Sequence, residues 1–414
     1  MEIAPQDRHT HLSFSDQQFD PRVELVFIDP DILTTVPSTP LHICMLLFGD
    51  LRFDFRVYRE AQALATAGHT VSLVATTFDA EPLPPAWSAF DLQLIPIVRG
   101  RSLRRSYPRF WHLAARRALE VKADVYHAHD LDALWPAARA ARWRGVPLVY
   151  DSHELFTGQS SLVDRPRVRG FWSWLERRLL PRVDRVMTVS DAIAEDLQHR
   201  YGLSQTPMVV RNLPPWREPV VDGRLRQALG LNDDAQPLAL YQGGFLTDNG
   251  LTEVIEAMRQ IDNGRLVLLG GGPTEQALRQ QVADADLHDR VRFLPRVPFP
   301  ELHEWTCGAD IGVCVIKPTG DSFAWSLPNK LFEFFLAGLP VLAGDTTQIR
   351  QVVAETGAGV LVDPTDPKAI AETLRSLFAN AERRQQLGIA ARQAARKYCW
   401  ENEAPQLLKL YESL

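Results

Sequence analysis

Leu41-His-Ile-Cys-Met-Leu-Leu-Phe48-Gly49-Asp50, followed by Gly68-His69-Thr70-Val71-Ser-Leu-Val-Ala75, decides how this chain folds. Leu41–Phe48, apolar throughout except His42, is a run of the kind expected for a strand buried on both faces, and Gly49-Asp50 closes it. Val57, Ala61, Leu64 and Ala65 then recur at helical spacing until Gly68 stops the helix, and Val71–Ala75 begins a second strand.

Outward from this unit the same alternation continues. Strands are predicted near 92–97, 124–128, 147–151, 184–189 and 207–210, with helices between most of them. Leu213-Pro-Pro-Trp-Arg-Glu-Pro-Val-Val-Asp222 interrupts the rhythm with three prolines and reads as a hinge. Beyond it strands are predicted near 237–242, 265–269, 290–294, 310–315, 340–343 and 359–362. The fold class is therefore α/β, with two doubly wound parallel sheets. The expected domains are an acidic extension at 1–38, a first Rossmann-like domain at 39–212 and a linker at 213–222. A second domain follows at 223–397, then a terminal helix at 398–414. In 1–38 only Val23–Ile28 looks like a strand. Ligands of such sheets bind at the carboxyl ends of strands, so a cleft between the two domains is the expected working site.

Length and composition agree with this division. The 414 residues, 45% hydrophobic and 23% charged, suit a globular chain of two or three cores. Cys44, Cys307, Cys314 and Cys399 form no C-x-x-C pair, so buried thiols are expected rather than a disulfide framework or a zinc site. The net charge of −6 hides an asymmetry: residues 99–185 hold 18 Arg or Lys against 9 Asp or Glu, leaving −15 for the remainder. No apolar run reaches the ~18 residues of a membrane span, and the N-terminus lacks a secretion pattern. A cytoplasmic protein is expected.

Chemistry should sit in the loops after strands. Gly49, Gly243-Gly244 and Gly270-Gly271-Gly272 occupy three such loops, where glycine lets backbone N–H groups approach a phosphate. His129, in Asp124-Val-Tyr-His-Ala-His129-Asp130, and His153, in Val149-Tyr-Asp-Ser-His153-Glu154, end two strands at one edge. Both are candidates to donate to a phosphate or a sugar hydroxyl. Asp130-Leu-Asp132 is a weak metal signal, and Asp132 reads better as the cap of the helix running to Gly145.

The strongest constellation is Ser326-Leu-Pro-Asn329-Lys330-Leu-Phe-Glu333-Phe-Phe-Leu-Ala-Gly338-Leu-Pro340. Pro328 suits the first helical position and Gly338 the stop. Lys330 and Glu333 share a face near the helix N-terminus. A cation there calls for an anionic ligand, so Lys330 is read as a phosphate partner and Glu333 as an acceptor for a diol such as ribose. No G-x-G-x-x-G follows a strand, and no P-loop, G-x-S-x-G or H-E-x-x-H occurs. Dehydrogenase, nucleotide-triphosphatase, serine-hydrolase and zincin readings lose their main support.

Taken in order, these motifs resemble glycosyltransferase family 4, the retaining nucleotide-sugar transferases built on two Rossmann-like domains (the GT-B fold). The resemblance spans about 41–414. It runs through the Gly49 loop, Ala67-Gly68-His69-Thr70-Val71, Val125-Tyr-His-Ala-His129, Tyr150-Asp-Ser-His153, Thr188-Val-Ser190 and Arg211-Asn212. It continues through Tyr241-Gln-Gly243, Leu268-Leu-Gly-Gly-Gly-Pro273 and Glu333–Val341, to a terminal helix crossing back to the first domain. The resemblance implies a hexosyltransferase with a nucleoside diphosphate sugar in the second domain and a glycan or lipid-linked acceptor in the first. It implies Glu333 on ribose, the glycine turns at the diphosphate, His129 beside the reacting sugar, and no metal or other cofactor. Cell-surface polysaccharide or glycoconjugate synthesis is the implied setting.

Three departures stand out. Trp325 occupies the place of the first of two glutamates found in many members, which makes Asp321 the candidate sugar carboxylate. Gly244 and Asn249 occupy the places of an Arg and a Lys. Lys330, within Pro328-Asn329-Lys330, is the candidate replacement, and Arg211 is a second. Gly49, Gly243, Gly244, Gly271, Asp321, Asn329, Lys330 and Glu333 are thus the expected donor contacts. Arg56, His153 and Arg211 are further phosphate or acceptor candidates.

Arginines interleave with aromatics at 99–117 (Arg99, Arg101, Arg104, Arg105 and Arg109 with Tyr107, Phe110 and Trp111) and at 165–182. In the second stretch Val168, Trp172, Leu175 and Leu179 share a helical face. An anionic membrane surface, on the inner face of the membrane, suits such stretches, while packing of that face on the sheet is the competing account. Nucleic acid is not expected. A nucleotide-sugar epimerase or hydrolase and a binding-only partner subunit remain the rival functions.

Overall fold

The computed structural model describes residues 39–78, 82–97, 103–231 and 236–414. The extension 1–38, with its expected strand at Val23–Ile28, and Arg99 and Arg101 lie outside the described residues. The chain divides into two compact units. One runs through Trp216 and adds 318–329 and 397–414; the other comprises 217–317 and 330–396. The changeover at Trp216–Arg217 falls within the proline-rich linker. Segment 318–329, expected in the second domain, instead clusters with the first.

In the N-terminal unit seven parallel strands are β1 (His42–Asp50), β2 (Thr70–Thr77), β3 (Asp91–Pro96), β4 (Val125–His129), β5 (Leu148–Ser152), β6 (Arg185–Thr188) and β7 (Met208–Val209). Their order is β3-β2-β1-β4-β5-β6-β7. Alternation along β1 explains the apolar run. Ile43, Met45 and Leu47 face one core, and Cys44 and Leu46 face another. Helix Phe55–Thr66 packs on the first face, capped by Asp54 and ended before Gly68 at φ +97°. The terminal helix Trp400–Glu412 packs there too, burying Trp400, Leu407 and Tyr411.

The C-terminal unit contains β8 (Leu238–Gly244), β9 (Arg265–Gly271), β10 (Val291–Leu294), β11 (Ile311–Cys314), β12 (Val341–Gly344) and β13 (Gly359–Val362). All pair in parallel in the order β10-β9-β8-β11-β12-β13. Each sheet reverses its winding once, beside β1 and β4 in the first and beside β8 and β11 in the second. The open carboxyl ends of these strands are where a doubly wound fold binds ligands. All four cysteines are buried and free.

Two local readings are corrected. Helix Asp130–Arg144 ends at Gly145 as expected, but Asp132 lies inside its first turn and does not cap it. The Asp132 carboxylate accepts from the Tyr107 hydroxyl at 3.4 Å, while Asp130 stands at a strained φ of +61°. Helix Asn329–Leu336 begins one residue after Pro328.

Candidate active site

The C-terminal unit gathers its candidates around the ends of β8 and β9. Gly244 pairs with Gly271 across the two strands. Gly243 (φ +120°) and Gly270 (φ +147°) adopt backbone that side chains avoid, and a Cβ on Gly270 would stand 2.0 Å from the Gly243 carbonyl. The close turn therefore requires glycine at both positions. Lys330 reaches over this turn. Its Nζ lies 4.0 Å from the Tyr241 ring centroid and 3.6 Å from where a Gly243 Cβ would be. A half-buried ammonium on an aromatic face beside a glycine turn is a ready anion partner.

Glu333, one turn along the same helix, accepts from Gln242 Nε2 at 2.6 Å, and Gln242 Oε1 accepts from the Thr306 hydroxyl at 2.7 Å. Gln242 is thus a buried bracket that fixes the orientation of the Glu333 carboxylate. Asn249, where the family resemblance leads one to expect a lysine, holds the loop together: its Nδ2 donates to the Gly244 carbonyl at 2.8 Å. Arg296, not singled out from the sequence, donates to the Gly271 carbonyl at 2.8 Å. Its signal was its place in the loop after β10, where the same rule that selected the glycines applied.

Gly49 and Asp321 cluster with the N-terminal unit, as does Asn329, the exposed first residue of the helix that carries Lys330 and Glu333. Gly49 neighbours the Asp54 carboxylate, and Asp50 pairs with Arg52, so that loop is not built like the two glycine turns. Asp321 is exposed at the start of the short helix Asp321–Ala324. Ser322 Oγ donates to the Glu154 carboxylate at 3.2 Å. Trp325 packs on Leu155, Val189, Ile193 and Leu197, and its carbonyl accepts from the Ser190 hydroxyl at 2.8 Å. At this position, where a glutamate is expected, the Trp325 side chain is spent on packing.

In the N-terminal unit the side-chain period of two places His127 and His129 of β4 and Asp151 of β5 on one face, against helix Phe55–Thr66. Arg56 lies there, 4% exposed. It grips both Asp151 oxygens at 2.9 Å and donates to the Val210 carbonyl at 2.8 Å. Glu60 stands 3.0 Å from the same guanidinium. One cation thus meets two buried carboxylates. Arg56 holds Asp151 well below the usual carboxylate range, against the burial that would raise it. Burial pushes Glu60 up to about 8, with Arg56 opposing.

His127 Nδ1 meets the Tyr411 hydroxyl at 2.7 Å. His129, 1% exposed, meets His153 Nε2 through its Nδ1 at 3.0 Å. Burial lowers His129. His153 rises to about 10: burial opposes this, and Asp130 and Asp151 outweigh it.

Glu60, His127, His129 and Asp151 each bring a ligand-type atom within 4.8 Å of the others. The positive charge that two carboxylates would draw from a metal ion is already supplied there by Arg56. Arg56 and Arg211, read from sequence as phosphate or acceptor candidates, are therefore both committed. Arg211 donates to Asp191 at 2.9 Å, and its backbone N–H donates to Glu403 at 2.7 Å. Asn212 accepts from Arg59. The Arg211-Asn212 motif thus ties three helices together, through Asp191, Glu403 and Arg59.

Comparisons with known proteins identify the family of the chain. Residues 55–212 match the description Glycosyltransferase Family 4, and residues 224–394 match Glycosyl transferases group 1. A D-inositol 3-phosphate glycosyltransferase of Xylanimonas cellulosilytica is 31% identical over 317 residues, covering 70% of this chain and 71% of that protein. A GDP-mannose-dependent alpha-(1-6)-phosphatidylinositol monomannoside mannosyltransferase of Mycolicibacterium smegmatis is 24% identical, covering 68% and 76%. Among solved structures, sucrose-phosphate synthase from Thermosynechococcus elongatus superposes with a TM-score of 0.72 at 20% identity, covering 90% of this chain and 98% of that one. Anabaena HepE in complex with UDP-glucose gives 0.71 at 17% identity, covering 90% and 100%. These likenesses support the two-domain GT-B fold.

Proposed function

Because the chain belongs to glycosyltransferase family 4 and is a glycosyltransferase, we propose that it moves a hexosyl unit from a nucleoside diphosphate sugar to a glycan or lipid-linked acceptor. The observation that carries this reading is the constellation of Lys330, the Gly243 turn and bracketed Glu333. Lys330 offsets the charge that grows on the diphosphate as the glycosidic bond breaks, assisted by backbone N–H groups of the glycine turns. Glu333 accepts from the ribose hydroxyls. Retention is carried over from the family resemblance, and the proposed reaction needs no metal, since the Lys330 ammonium stands where a cation is needed. Cyclitol phosphates and their lipids, named among the relatives' substrates, are the first acceptors to try.

A thermal-shift screen of nucleotides and sugar nucleotides tests the donor site, because a ligand of the native state raises the melting temperature. Stabilisation by one nucleoside diphosphate and its sugars is expected. No shift with any of them sinks the assignment. The replacement of a glutamate by Trp325 favours a second reading, a subunit that binds nucleotide sugar without turnover. Acceptor-dependent release of nucleoside diphosphate excludes that reading, and release without acceptor would instead mark a hydrolase.

Peripheral attachment to an anionic membrane face is part of the proposal. Val168, Trp172, Leu175 and Leu179 pack inside the unit. The outer face of helix Pro166–Leu179 nevertheless carries Arg167, Phe171, Trp174 and Arg178 in one stripe, with Trp174 57% and Phe171 44% exposed. No helix among the described residues is long and apolar enough to cross a membrane. Flotation with anionic vesicles at low salt, reduced by Trp174→Ala and by high salt, is the expected result. Absence of binding at low salt removes the membrane from the account.

A further inference from the structure

We propose that His153 is a positioning residue that fixes which nitrogen of His129 carries the proton. His153 Nε2 lies 3.0 Å from Asp151 Oδ2 and 3.0 Å from His129 Nδ1. Asp151 is gripped through both oxygens by Arg56, so it stays an ionised acceptor. A bare Nε2 on His153 would then set lone pair against lone pair, so Nε2 must carry a proton, whether or not Nδ1 carries a second one towards Asp130. Asp151 Oδ2 also faces His129 Nδ1, at 3.5 Å, but His153 Nε2 approaches that oxygen more closely, so His129 Nδ1, sharing the His153 proton, presents its lone pair. His129 is therefore neutral with its proton on Nε2.

Asp130 completes the device. Its Oδ1 accepts from the His153 backbone N–H at 2.9 Å, and its Oδ2 faces His153 Nδ1 at 3.5 Å. The strained backbone of Asp130 is the cost of aiming the carboxylate there. Other charged or titratable groups packed about the pair are Asp54, Arg56 and Glu60 from one side, His127 on β4, Glu154 beyond β5, and Tyr411 of the terminal helix. None displaces the proton from His153 Nε2, because Asp151 is the group in hydrogen-bond reach of it.

The consequence for chemistry is specific. His129 Nε2 is buried with no protein partner, and in this tautomer it can donate but cannot remove a proton. If the glycosyl-transfer reading holds, His129 meets an oxygen of the substrate as a donor, and no general base is provided by its ring.

Selective ¹⁵N-histidine labelling of the full chain, with two-bond proton–nitrogen correlation, reads the tautomer directly. The His129 signals are identified by their loss in His129→Gln. A neutral Nε2–H form between about pH 6 and 8, spanning the ordinary histidine range, is expected; an Nδ1–H form or an imidazolium overturns the proposal. In turnover, His153→Ala should lower kcat roughly a hundredfold with donor KM little changed. His153→Gln should recover most of this, since its amide N–H can serve His129 Nδ1. Equal damage from both variants overturns the proposal.

Asp130→Gly keeps the backbone, because glycine tolerates a positive φ, and removes the carboxylate. It should bring the His153 titration down towards neutrality by freeing the Nδ1 proton that Asp130 faces, while His129 keeps its Nε2–H form and kcat its pH profile, because Asp151 still holds a proton on His153 Nε2; a switch of His129 to Nδ1–H in this variant overturns the proposal. If no sugar is transferred at all, the functional reading fails, while the spectra still decide the tautomer.

Discussion

Asp151→Ala tests the charge accounting of the N-terminal unit. In the native protein the Arg56 guanidinium is buried against two carboxylates, and Asp151 takes its charge through two 2.9 Å bonds. Stripping one partner from a buried ion pair costs about 3–5 kcal/mol, mostly because the other charge is stranded. Glu60, 3.0 Å away, can ionise in its place, so the low end of that range, about 3 kcal/mol, is expected. For a unit of this size each kcal/mol shifts the midpoint by roughly 2–4 °C, giving a fall of about 6–12 °C. Calorimetry on the Asp151→Ala protein reads this, and adding Glu60→Gln should deepen the fall by removing the substitute. The apolar pair Arg56→Met with Asp151→Leu should be less damaging than Asp151→Ala, as an interacting pair requires. A fall under about 2 °C, or additive behaviour of the pair, refutes the argument.

Further outcomes follow from the same geometry. Glu60 binds its proton up to about pH 8 in the folded protein but only to about 4.3 when unfolded. The folded state thus holds more protons in that window, so stability falls as pH rises from about 4.5 to 8, by at most about 1.4 kcal/mol per pH unit. Denaturant titrations across that window should show the decline, and Glu60→Gln should flatten it; stability that climbs with pH through the window contradicts the assignment. Lys330→Ala should weaken nucleoside diphosphate binding about tenfold or more, since a charge-assisted hydrogen bond contributes about 1.5–3 kcal/mol. Nucleoside affinity should stay unchanged in calorimetry, and an equal loss for both ligands would deny Lys330 a phosphate. Glu333→Ala should cost affinity for ribonucleotides and not for 2′,3′-dideoxy analogues. His129→Ala should lower kcat more than donor affinity, and a wild-type rate removes it from the site.

The two parallel sheets were legible because short apolar strands alternating with helices admit few arrangements. Lys330 and Glu333 were legible because helical spacing alone puts them on one face. The commitments of Arg56 and Arg211 were not, since their partners Asp151, Asp191 and Glu403 come from distant segments, and an isolated arginine says nothing of its counter-ion. Trp325 was noted as a departure, but its reason lies in the N-terminal unit's Leu155, Val189 and Ile193, a contact that no local pattern encodes. In the sequence Asn249 shows only a missing charge, whereas in the fold its amide closes the glycine loop. The His129–His153 pair was visible as two strand ends at one edge, whereas the proton arrangement needed distances.

The most direct test is release of nucleoside diphosphate from a panel of sugar nucleotides, with and without glycan and lipid acceptors, in the presence of a metal chelator. Release that requires acceptor, persists with chelator and is lost in Lys330→Ala is the predicted result. No release with any donor and acceptor pair, or release indifferent to Lys330, contradicts the account.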